Sequence, residues 1–307
     1  MSIDNQTPKG YANRAYAESL AEFGELIHLP RSGGYLLKRP IAGTHEYDAM
    51  GSYPLFFCQN WNDLSDDLND LPEEVVSVSL VADPYGTYSL EMLQGIFDVV
   101  NPFKEHFIVD LGRPLEDVGR RGHVKRARKA LKKIQVEVCK DPTAFAEEWD
   151  RLYEQLRFRH KITGIRAFSK RAFFKQLNMP EVVVHQAFYE GKLIGAQIYY
   201  IQAGVVHCHL GAVNEVGYQM AAFYAMDFYS FQFFSGHAQK LDLGGGLGFS
   251  GTGEDGLSRY KRGWSAETRP VYFCGRITNS SRYAELMEER PRYDGTYFPA
   301  YRAGEFN

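Results

Sequence analysis

The sequence of 307 residues lacks several features that would narrow its class at once. No apolar run approaches the roughly 20 residues that a transmembrane helix requires. The N-terminus has no basic-then-apolar stretch with a cleavage pattern, so we expect no export signal and a cytoplasmic protein. Internal repeats and low-complexity tracts are also missing, while apolar residues make up 44% of the chain. This combination is typical of a globular protein with substantial cores.

Cysteine is scarce and scattered. The four cysteines contain no CxxC pair: Cys58, Cys139, Cys208 and Cys274. This spacing argues against a disulfide framework and a structural zinc site, and it suits a reducing cytoplasm. His207 and His209 flank Cys208, but in a strand the two histidines share one face and the cysteine points to the other. We therefore predict no metal site.

Acidic residues are absent from one segment that is rich in basic ones. Eight basic residues lie between positions 120 and 133: Arg120, Arg121, Lys125, Arg126, Arg128, Lys129, Lys132 and Lys133. As a helix, the segment would bury Val124, Ala127, Leu131 and Ile134 and expose the charges. A solvated face is one interpretation. An anionic partner is the other, because uncompensated like charges destabilise a helix. The net charge of −3 conceals this local excess.

The pattern of apolar residues predicts an α+β fold. Helices are predicted over 11–28, 115–133, 142–160, 169–177 and 218–234, and strands over 134–139, 182–189, 193–201, 205–210 and 240–243. The turn Glu190-Gly191-Lys192 joins two of these strands as a β-hairpin. Three strands that follow one another through short turns indicate a largely antiparallel meander.

A glycine cluster, KLDLGGGLGFSG, contains a literal GxGxxG at Gly246, Gly248 and Gly251. Dinucleotide and methyl-donor sites both need a helix directly after such glycines. The residues that follow, 252–256, begin a helix poorly, and too little chain remains for a doubly wound sheet. We interpret the cluster as a conformationally demanding turn.

Five segments, in this order, resemble the FemAB-like branch of the GNAT acyltransferase superfamily, of the type found in bacterial envelope and exopolysaccharide pathways. They are GHVKRARKALKK leading into QVEV, RLYEQLRFRHKITGIRAFSKRAFFKQL, VVHQAFYEGKLIGAQIYY, HLGAVNEVGYQMAAFYAMDF, and LDLGGG followed by DGLSRYKRGW. The similarity runs from about residue 119 to residue 264, nearly half of the chain. One departure is the pyrophosphate loop of ordinary GNAT enzymes, since residues 214–221 keep one glycine only.

The resemblance implies tandem GNAT-like lobes, each a mixed, largely antiparallel sheet flanked by helices. We expect a degenerate N-terminal lobe over 1–112 and an acyltransferase lobe over 113–307. It also implies transfer of an acyl or aminoacyl group to an amine of an amino sugar, a lipid-linked precursor or a peptide. Acyl-CoA, first of all acetyl-CoA, is the expected co-substrate. Aminoacyl-tRNA is the alternative donor, although the long helical arm of some relatives is missing.

Acyl transfer to an amine needs a proton acceptor, a stabilised carbonyl oxygen and aligned reactants. The candidate catalytic residues are His209, His160, Asp242, Lys261 and Tyr218. His209 and His160 could instead be a core histidine and a helix-end charge, and Asp242 could simply hydrogen-bond the glycine turn, which we favour. The candidate substrate- or phosphate-binding residues are Arg121, Lys125, Arg128, Arg159, Gly244, Gly245, Gly246 and Tyr260.

Two hypotheses of different class therefore remain. The first is a cytoplasmic N-acyltransferase. The second is a non-catalytic GNAT-like module that binds nucleotide or nucleic acid through the basic segment 120–133. Steep salt dependence of binding to generic nucleic acid would favour the module.

Overall fold

The computed structural model describes residues 8–246, 255–265, 267–288, 295 and 297–303. The chain forms two compact units. Unit 1 contains residues 8–10, 104–163 and 167–270, and unit 2 contains 11–103, 164–166 and the described residues from 271 onward. The chain thus passes between the units after Gly10, Phe103, Thr163, Arg166 and Pro270. The expected lobes, 1–112 and 113–307, stay a prediction.

Unit 1 contains a six-stranded sheet in the order β5-β10-β9-β8-β7-β6. Its strands are β6 (Ile134–Val138), β7 (Val182–Tyr189), β8 (Lys192–Gln202), β9 (Val205–Val213), β10 (Lys240–Asp242) and the part of β5 (Val99–Asp110) from residue 104 onward. Neighbouring strands are antiparallel except β9 and β10, which are parallel. The predicted hairpin is confirmed as β7 and β8, joined at Glu190 and Gly191, both with positive φ.

The helices of unit 1 are α4 (Leu115–Val118), α5 (Arg121–Ala130), α6 (Ala146–His160), α7 (Lys170–Leu177), α8 (Glu215–Met220), α9 (Ala222–Phe234) and α10 (Gly256–Arg262). One face of the sheet packs on α5 and α9, where Tyr199, Val206 and Leu241 share a core with Ala127 and Phe228. Since side chains alternate along a strand, the neighbouring residues of β9 and β10 point to the other face. His209 on that face contacts Phe168, just before α7.

Unit 2 contains a five-stranded sheet in the order β1-β2-β3-β4-β11. Its strands are β1 (Glu25–His28), β2 (Tyr35–Pro40), β3 (Tyr47–Gly51), β4 (Val75–Val81) and the part of β11 (Glu267–Ile277) from residue 271 onward. Its helices are α1 (Arg14–Ser19), α2 (Leu64–Asn69), α3 (Leu90–Ile96) and α11 (Ser280–Glu288). Here β3 and β4 form the parallel pair. Its core gathers Leu36, Phe56, Trp61, Val78 and Cys274. Each unit is therefore a mixed, largely antiparallel sheet with helices, which confirms the predicted α+β class.

Three predicted helices differ from the observed ones at particular residues. The prediction over 11–28 was wrong after Ser19, because residues 25–28 pair with β2 as a strand. The helix over 115–133 is interrupted at Gly119 and Arg120, which have extended backbones. The helix near 218–234 begins earlier, at Glu215, and breaks at Ala221, where φ is 60°. In the part of the chain that the structure describes, no helix is long and apolar enough to cross a membrane.

Candidate functional site

The parallel strands β9 and β10 separate in the middle of unit 1. They pair at three positions, ending with Asp242 beside His207, after which β9 continues to Val213 while β10 stops. Among the described residues, no strand pairs with the β10-facing edge of β9 beyond His207. Separated parallel strands leave main-chain N–H and C=O groups available to an extended ligand.

The chain leaves β10 through the glycine turn, Gly244 to Gly246, which two lysines contact. Gly244 has a φ of 75°, a conformation that favours glycine. Lys261 Nζ donates to Gly245 O at 2.7 Å, and Lys104 Nζ donates to Gly246 O at 3.2 Å. Burial of the Lys261 ammonium lowers its pKa, and the nearby Lys104 charge acts in the same direction. Two lysine ammonium groups therefore lie beside the turn, where a ligand would meet two positive charges.

Asp242 fixes the beginning of the glycine turn. Its Oδ1 accepts a hydrogen bond from the Gly244 N–H at 2.7 Å, and its Oδ2 lies 2.8 Å from His106 Nδ1 and 3.7 Å from His207 Nδ1. Burial by itself raises the pKa of this carboxyl, but His106 and then His207 outweigh that effect and hold the pKa below its ordinary value. Asp242 is thus an ionised structural group, in line with the interpretation favoured from the sequence.

Asp227, on α9, is a second buried carboxyl, and its two hydrogen-bond donors are neutral. Its Oδ2 accepts from the Tyr260 hydroxyl at 2.5 Å, and its Oδ1 accepts from Gln197 Nε2 at 2.7 Å. Burial raises the pKa of Asp227 to about 6, while Gln197, Tyr260 and the Lys261 charge oppose the rise. A carboxyl with that pKa changes its protonation state close to neutral pH, as a general base requires.

The hydrogen-bonded network continues from Asp227 into the core. The Tyr199 hydroxyl donates to Gln197 Oε1 at 2.9 Å and lies 2.9 Å from Ser230 Oγ, which is 2.6 Å from His185 Nδ1. Burial lowers the pKa of His185 to about 4, so this imidazole is neutral at physiological pH. The network holds the Asp227 carboxylate in one orientation, because its partners are themselves hydrogen-bonded.

Helix α10 positions Tyr260 beside Asp227 and Lys261 beside the glycine turn. Asp255 caps it by accepting from the N–H groups of Leu257 and Ser258, each at 2.9 Å. A Cβ on Gly246 would lie 2.6 Å from Asp255 Oδ2, so the glycine permits the turn to approach the cap. The helix begins at Gly256, five residues after the last glycine of the cluster, and so does not start directly after the glycines. Gly248 and Gly251 lie outside the described residues.

The other end of α10 is attached to α5. The N–H of Arg120, which precedes α5, donates to Gly263 O at 2.7 Å, and His123 Nε2 donates to Tyr260 O at 3.1 Å. The ring of His123 packs between Tyr224, Tyr260 and Trp264. Burial lowers the pKa of His123, so this residue positions α10 rather than extending the basic surface.

Four of the residue groups singled out in the sequence are thus brought together: Asp242, the glycine turn, Tyr260 and Lys261. His209 has other surroundings. Its Nε2 lies 3.3 Å from Gln176 Oε1, and its ring contacts Tyr200 and Phe168. Burial lowers its pKa to about 3. This environment is that of a core histidine, the alternative considered from the sequence, and a catalytic role for His209 stays a prediction.

Tyr218 and Arg159 form a separate pair on the outside of unit 1. The Arg159 guanidinium lies 4.1 Å from the centre of the Tyr218 ring and forms an ion pair with Glu215. His160 is exposed at the C-terminal end of α6. The structure does not bring these three residues to the glycine turn, and their proposed roles stay predictions.

The basic segment forms α5 and the turn after it, and all eight basic side chains are exposed. Val124 and Ala127 are buried, as the predicted stripe requires. Arg121 and Lys125 face solvent, while Arg128 forms an ion pair with Glu116 and lies 5.9 Å from the Phe228 ring centre. These residues lie on a surface, and the buried cluster around Lys261 is distinct from it.

Sequence reasoning missed Asp227, Gln197, His106 and Lys104. Asp227 had a signal, because it is the one charged residue in the otherwise apolar and aromatic stretch AFYAMDFYSFQFF. A charge in such a helix needs a buried partner. The other three come from strands far away in sequence, and their contacts follow from the register of the sheet. In the described part of the chain, no group of three His, Cys, Asp or Glu side chains is arranged to hold a metal ion.

Solved structures share this fold. FemX is similar with a TM-score of 0.68 and 13% identity, covering 93% of this chain and 98% of FemX. The C-terminal domain of a putative lysylphosphatidylglycerol synthetase from Agrobacterium fabrum is similar with a TM-score of 0.60 and 13% identity, covering 89% and 90% of the two chains. L-PGS from Bacillus licheniformis follows with a TM-score of 0.55 and 12% identity, covering 89% and 95%. No family model and no curated protein sequence matches the chain. The predicted FemAB-like resemblance is therefore confirmed as a likeness of fold.

Proposed function

We propose that the protein is an N-acyltransferase that moves an acyl or aminoacyl group to the amine of an amino sugar, a lipid-linked precursor or a peptide. The observation that carries this proposal is the separation of β9 and β10 beside Lys261 and the glycine turn. One similar structure belongs to a putative lysylphosphatidylglycerol synthetase, a name that describes a lysyl group joined to a phospholipid. We place the reaction in the cytoplasm.

Lys261 is the proposed stabiliser of the oxyanion. When the amine nitrogen attacks the acyl carbon, a C–N bond forms and the carbonyl oxygen becomes negative. The ammonium of Lys261, which donates to Gly245 O in this structure, would turn to that oxygen. A cation in a site that excludes water stabilises such a charge far more than one in bulk solvent. The lowered pKa of Lys261 makes its ammonium easier to deprotonate. The negative charge of the adjacent oxyanion opposes this, because it favours the protonated form.

Tyr260 and Asp227 are the proposed proton relay. The neutral amine attacks the acyl carbon, and its nitrogen, positively charged once the C–N bond has formed, gives a proton to the Tyr260 hydroxyl. Tyr260 passes its own proton to Asp227 Oδ2 along the existing hydrogen bond. The relay then returns a proton to the leaving thiolate as the C–S bond breaks. Because Asp227 must be ionised, with its pKa at about 6, we expect the rate to rise as the pH passes through that value. A pH–rate profile measures this.

An acyl-CoA, with acetyl-CoA as the first to test, is the proposed thioester donor. Its extended chain would lie along the open edge of β9 and hydrogen-bond through amides, as strand addition does. Aminoacyl-tRNA-dependent transfer is the second candidate. The exposed basic surface of α5 favours it, because phosphate backbones bind clusters of lysine and arginine. A module that binds nucleic acid without transfer is the remaining alternative.

A transfer assay separates these candidates. Labelled acetyl-CoA, longer acyl-CoAs and aminoacyl-tRNAs are each incubated with amino sugars, aminophospholipids and peptides, and labelled amide is counted. We expect transfer from at least one thioester donor. Transfer from aminoacyl-tRNA alone would support the second candidate. Folded protein that transfers nothing to any amine would contradict both.

A further inference from the structure

The most exposed large apolar side chain among the described residues is Phe158, near the end of α6. It is 90% exposed, whereas the next, Phe174 on α7, is 51% exposed. Trp149, Leu152 and Tyr153 are buried. At about 3.6 residues per turn, Phe158 lies on the side of α6 opposite these three. Single apolar residues are common on protein surfaces, so Phe158 indicates a partner only through the residues around it.

The chain around Phe158 is basic. Residues 155–163 contain no acidic residue and four that carry or can gain a positive charge: Arg157, Arg159, His160 and Lys161. Glu154 lies one helical turn before Phe158, away from the end of α6. The helix macrodipole accounts for positive charges at this end, but not for an exposed aromatic ring among them. Aromatic rings beside lysine and arginine are typical of segments that enter a membrane interface.

The end of α6 is held in place by hydrogen bonds and an ion pair. The helix stops at Lys161, which has a φ of 50°, and the N–H groups of Lys161 and Ile162 both donate to Arg157 O. Arg159 forms an ion pair with Glu215 of α8. A side chain on such a support loses little backbone freedom when it is bound. Phe158 is therefore presented in a nearly fixed position.

The neighbouring helix α8 adds a second exposed apolar side chain, Val216, which is 41% exposed. Val216 follows Glu215, and Phe158 precedes Arg159, so the two apolar residues each lie one position from the ion pair that joins the helices. No ion pair joins His160 or Lys161 to another described residue. The end of α6 thus combines apolar side chains with uncompensated positive charge.

We propose that the end of α6 docks the protein on the surface of a membrane that contains anionic lipids. Phe158 enters between the headgroups, while Arg157, His160 and Lys161 meet the lipid phosphates. Each Lys or Arg near an anionic surface attracts it, and a buried ring adds the hydrophobic contribution. Neither signal alone gives more than marginal binding, so the two act together and the docking is reversible.

Charge distinguishes this partner from a second copy of the chain. In a symmetric dimer the same patch meets itself, so the positive charges around Phe158 would face one another. An anionic lipid surface has the complementary charge. The docking surface lies apart from Lys261 and the glycine turn, and it is independent of the proposed transfer. A protein docked in this way would meet a lipid-linked amine at the surface that holds it.

Co-sedimentation of the full chain with vesicles of phosphatidylcholine and about one third phosphatidic acid tests the proposal. Phosphatidic acid carries neither an amine nor a headgroup alcohol, so binding is measured without an acceptor. We expect binding at least about tenfold tighter than to phosphatidylcholine alone. Phe158→Ser should weaken it about tenfold or more, because the ring no longer leaves water. Lys161→Glu should weaken it about fivefold or more.

Phe174→Ser is the matched control, because it makes the same change at the other exposed phenylalanine described in unit 1. It should bind as the parent protein does, and all three variants should unfold at the parent's temperature, since each changes an exposed side chain.

Three outcomes would overturn the proposal: a parent protein that does not bind the anionic vesicles, a Phe158→Ser protein that binds as tightly as the parent, or an equal loss in Phe174→Ser. Self-association without vesicles that Phe158→Ser abolishes would also overturn it and assign the surface to a second copy. None of these outcomes depends on the transfer assay.

Discussion

Among its described residues, unit 1 buries two aspartates, and their surroundings differ in one respect. Asp227 and Asp242 are each 2% exposed. Asp227 faces the neutral donors Gln197 and Tyr260, whereas Asp242 faces the imidazoles of His106 and His207. Burial raises the pKa of Asp227 to about 6, but the histidines hold the pKa of Asp242 below its ordinary value. Burial alone thus does not determine the charge of a carboxyl; its neighbours do.

The difference suits the two groups to different tasks. Asp242 remains ionised and holds the glycine turn through the Gly244 N–H, which keeps Gly245 O facing Lys261. Asp227 changes its charge near neutral pH and contacts Tyr260, so it can accept a proton and return it. One carboxylate maintains the geometry and the other is proposed to take part in the chemistry.

The largest effect on stability is expected from Asp242→Asn. The change removes a buried charge that His106 faces at 2.8 Å, and breaking such a pair costs about 3 to 5 kcal/mol. Because the folded pKa is lowered, this stability is present above the unfolded pKa near 4 and is lost as the pH falls. Urea unfolding at pH 7 and at about pH 3 measures it, because the loss develops below the unfolded pKa. A loss below about 1 kcal/mol at pH 7 would show that the Asp242–His106 pair does not contribute substantially to stability.

Asp227→Asn should show the opposite pH dependence. The raised folded pKa means that the wild-type carboxyl favours folding below the unfolded pKa and loses that contribution as the pH rises through about 6. The variant does not titrate. Relative to wild type, its free energy of unfolding should therefore improve by about 2 kcal/mol between pH 4 and pH 8. The same urea series measures this, and parallel curves for the two proteins would show that Asp227 has an ordinary pKa.

Gln197→Met tests what the neutral donors contribute. Gln197 Nε2 donates to Asp227 Oδ1 at 2.7 Å, and methionine fills similar space without an N–H. Leaving one carboxylate oxygen without this donor should cost about 1 to 3 kcal/mol at pH 8, and less at pH 5 where Asp227 is protonated. Unfolding measured at both pH values checks the difference. Equal losses would mean that the residue contributes packing alone.

The smallest change in stability is expected from Gly244→Ala. Its φ of 75° disfavours any residue with a Cβ, which costs about 1 kcal/mol, and the added atom would lie 3.4 Å from Lys261 Nζ. Gly236→Ala is a control, because nothing lies within 4 Å of its added Cβ and its φ is not positive. We expect the first variant alone to lose transfer activity disproportionately to its stability. Similar activities for the two variants would argue against a role for the turn.

Part of the fold and of the candidate site was predictable from the sequence, because some of its signals are local. Period-2 alternation and the Glu190-Gly191-Lys192 turn identified the β7–β8 hairpin, because both are local signals. Asp242, the glycine turn and Lys261 were among the candidate site residues, and the structure joins them by hydrogen bonds. The break at Ala221 and the pairing of residues 25–28 with β2 had no local signal. Tertiary packing overrides propensity at such places.

The two aspartates show the same limit. Asp242 lies two residues before the glycine cluster, so its contact with the glycine turn was predictable from the sequence alone. The partners of Asp227 come from β8 and α10, and His106 reaches Asp242 from β5, so these contacts depend on strand register. A lone charge in an apolar helix predicts a partner without naming it.

The most direct test of the account is the single-turnover transfer rate of Lys261→Met, measured with a donor and an amine identified in the assay above. Lys192→Met, an exposed change far along the chain from the glycine turn, is the matched control. Removing one donor to an oxyanion costs about 100-fold or more in rate, so we predict that loss with donor binding and fold retained. A Lys261→Met protein that transfers as fast as the control would contradict the assignment of this site.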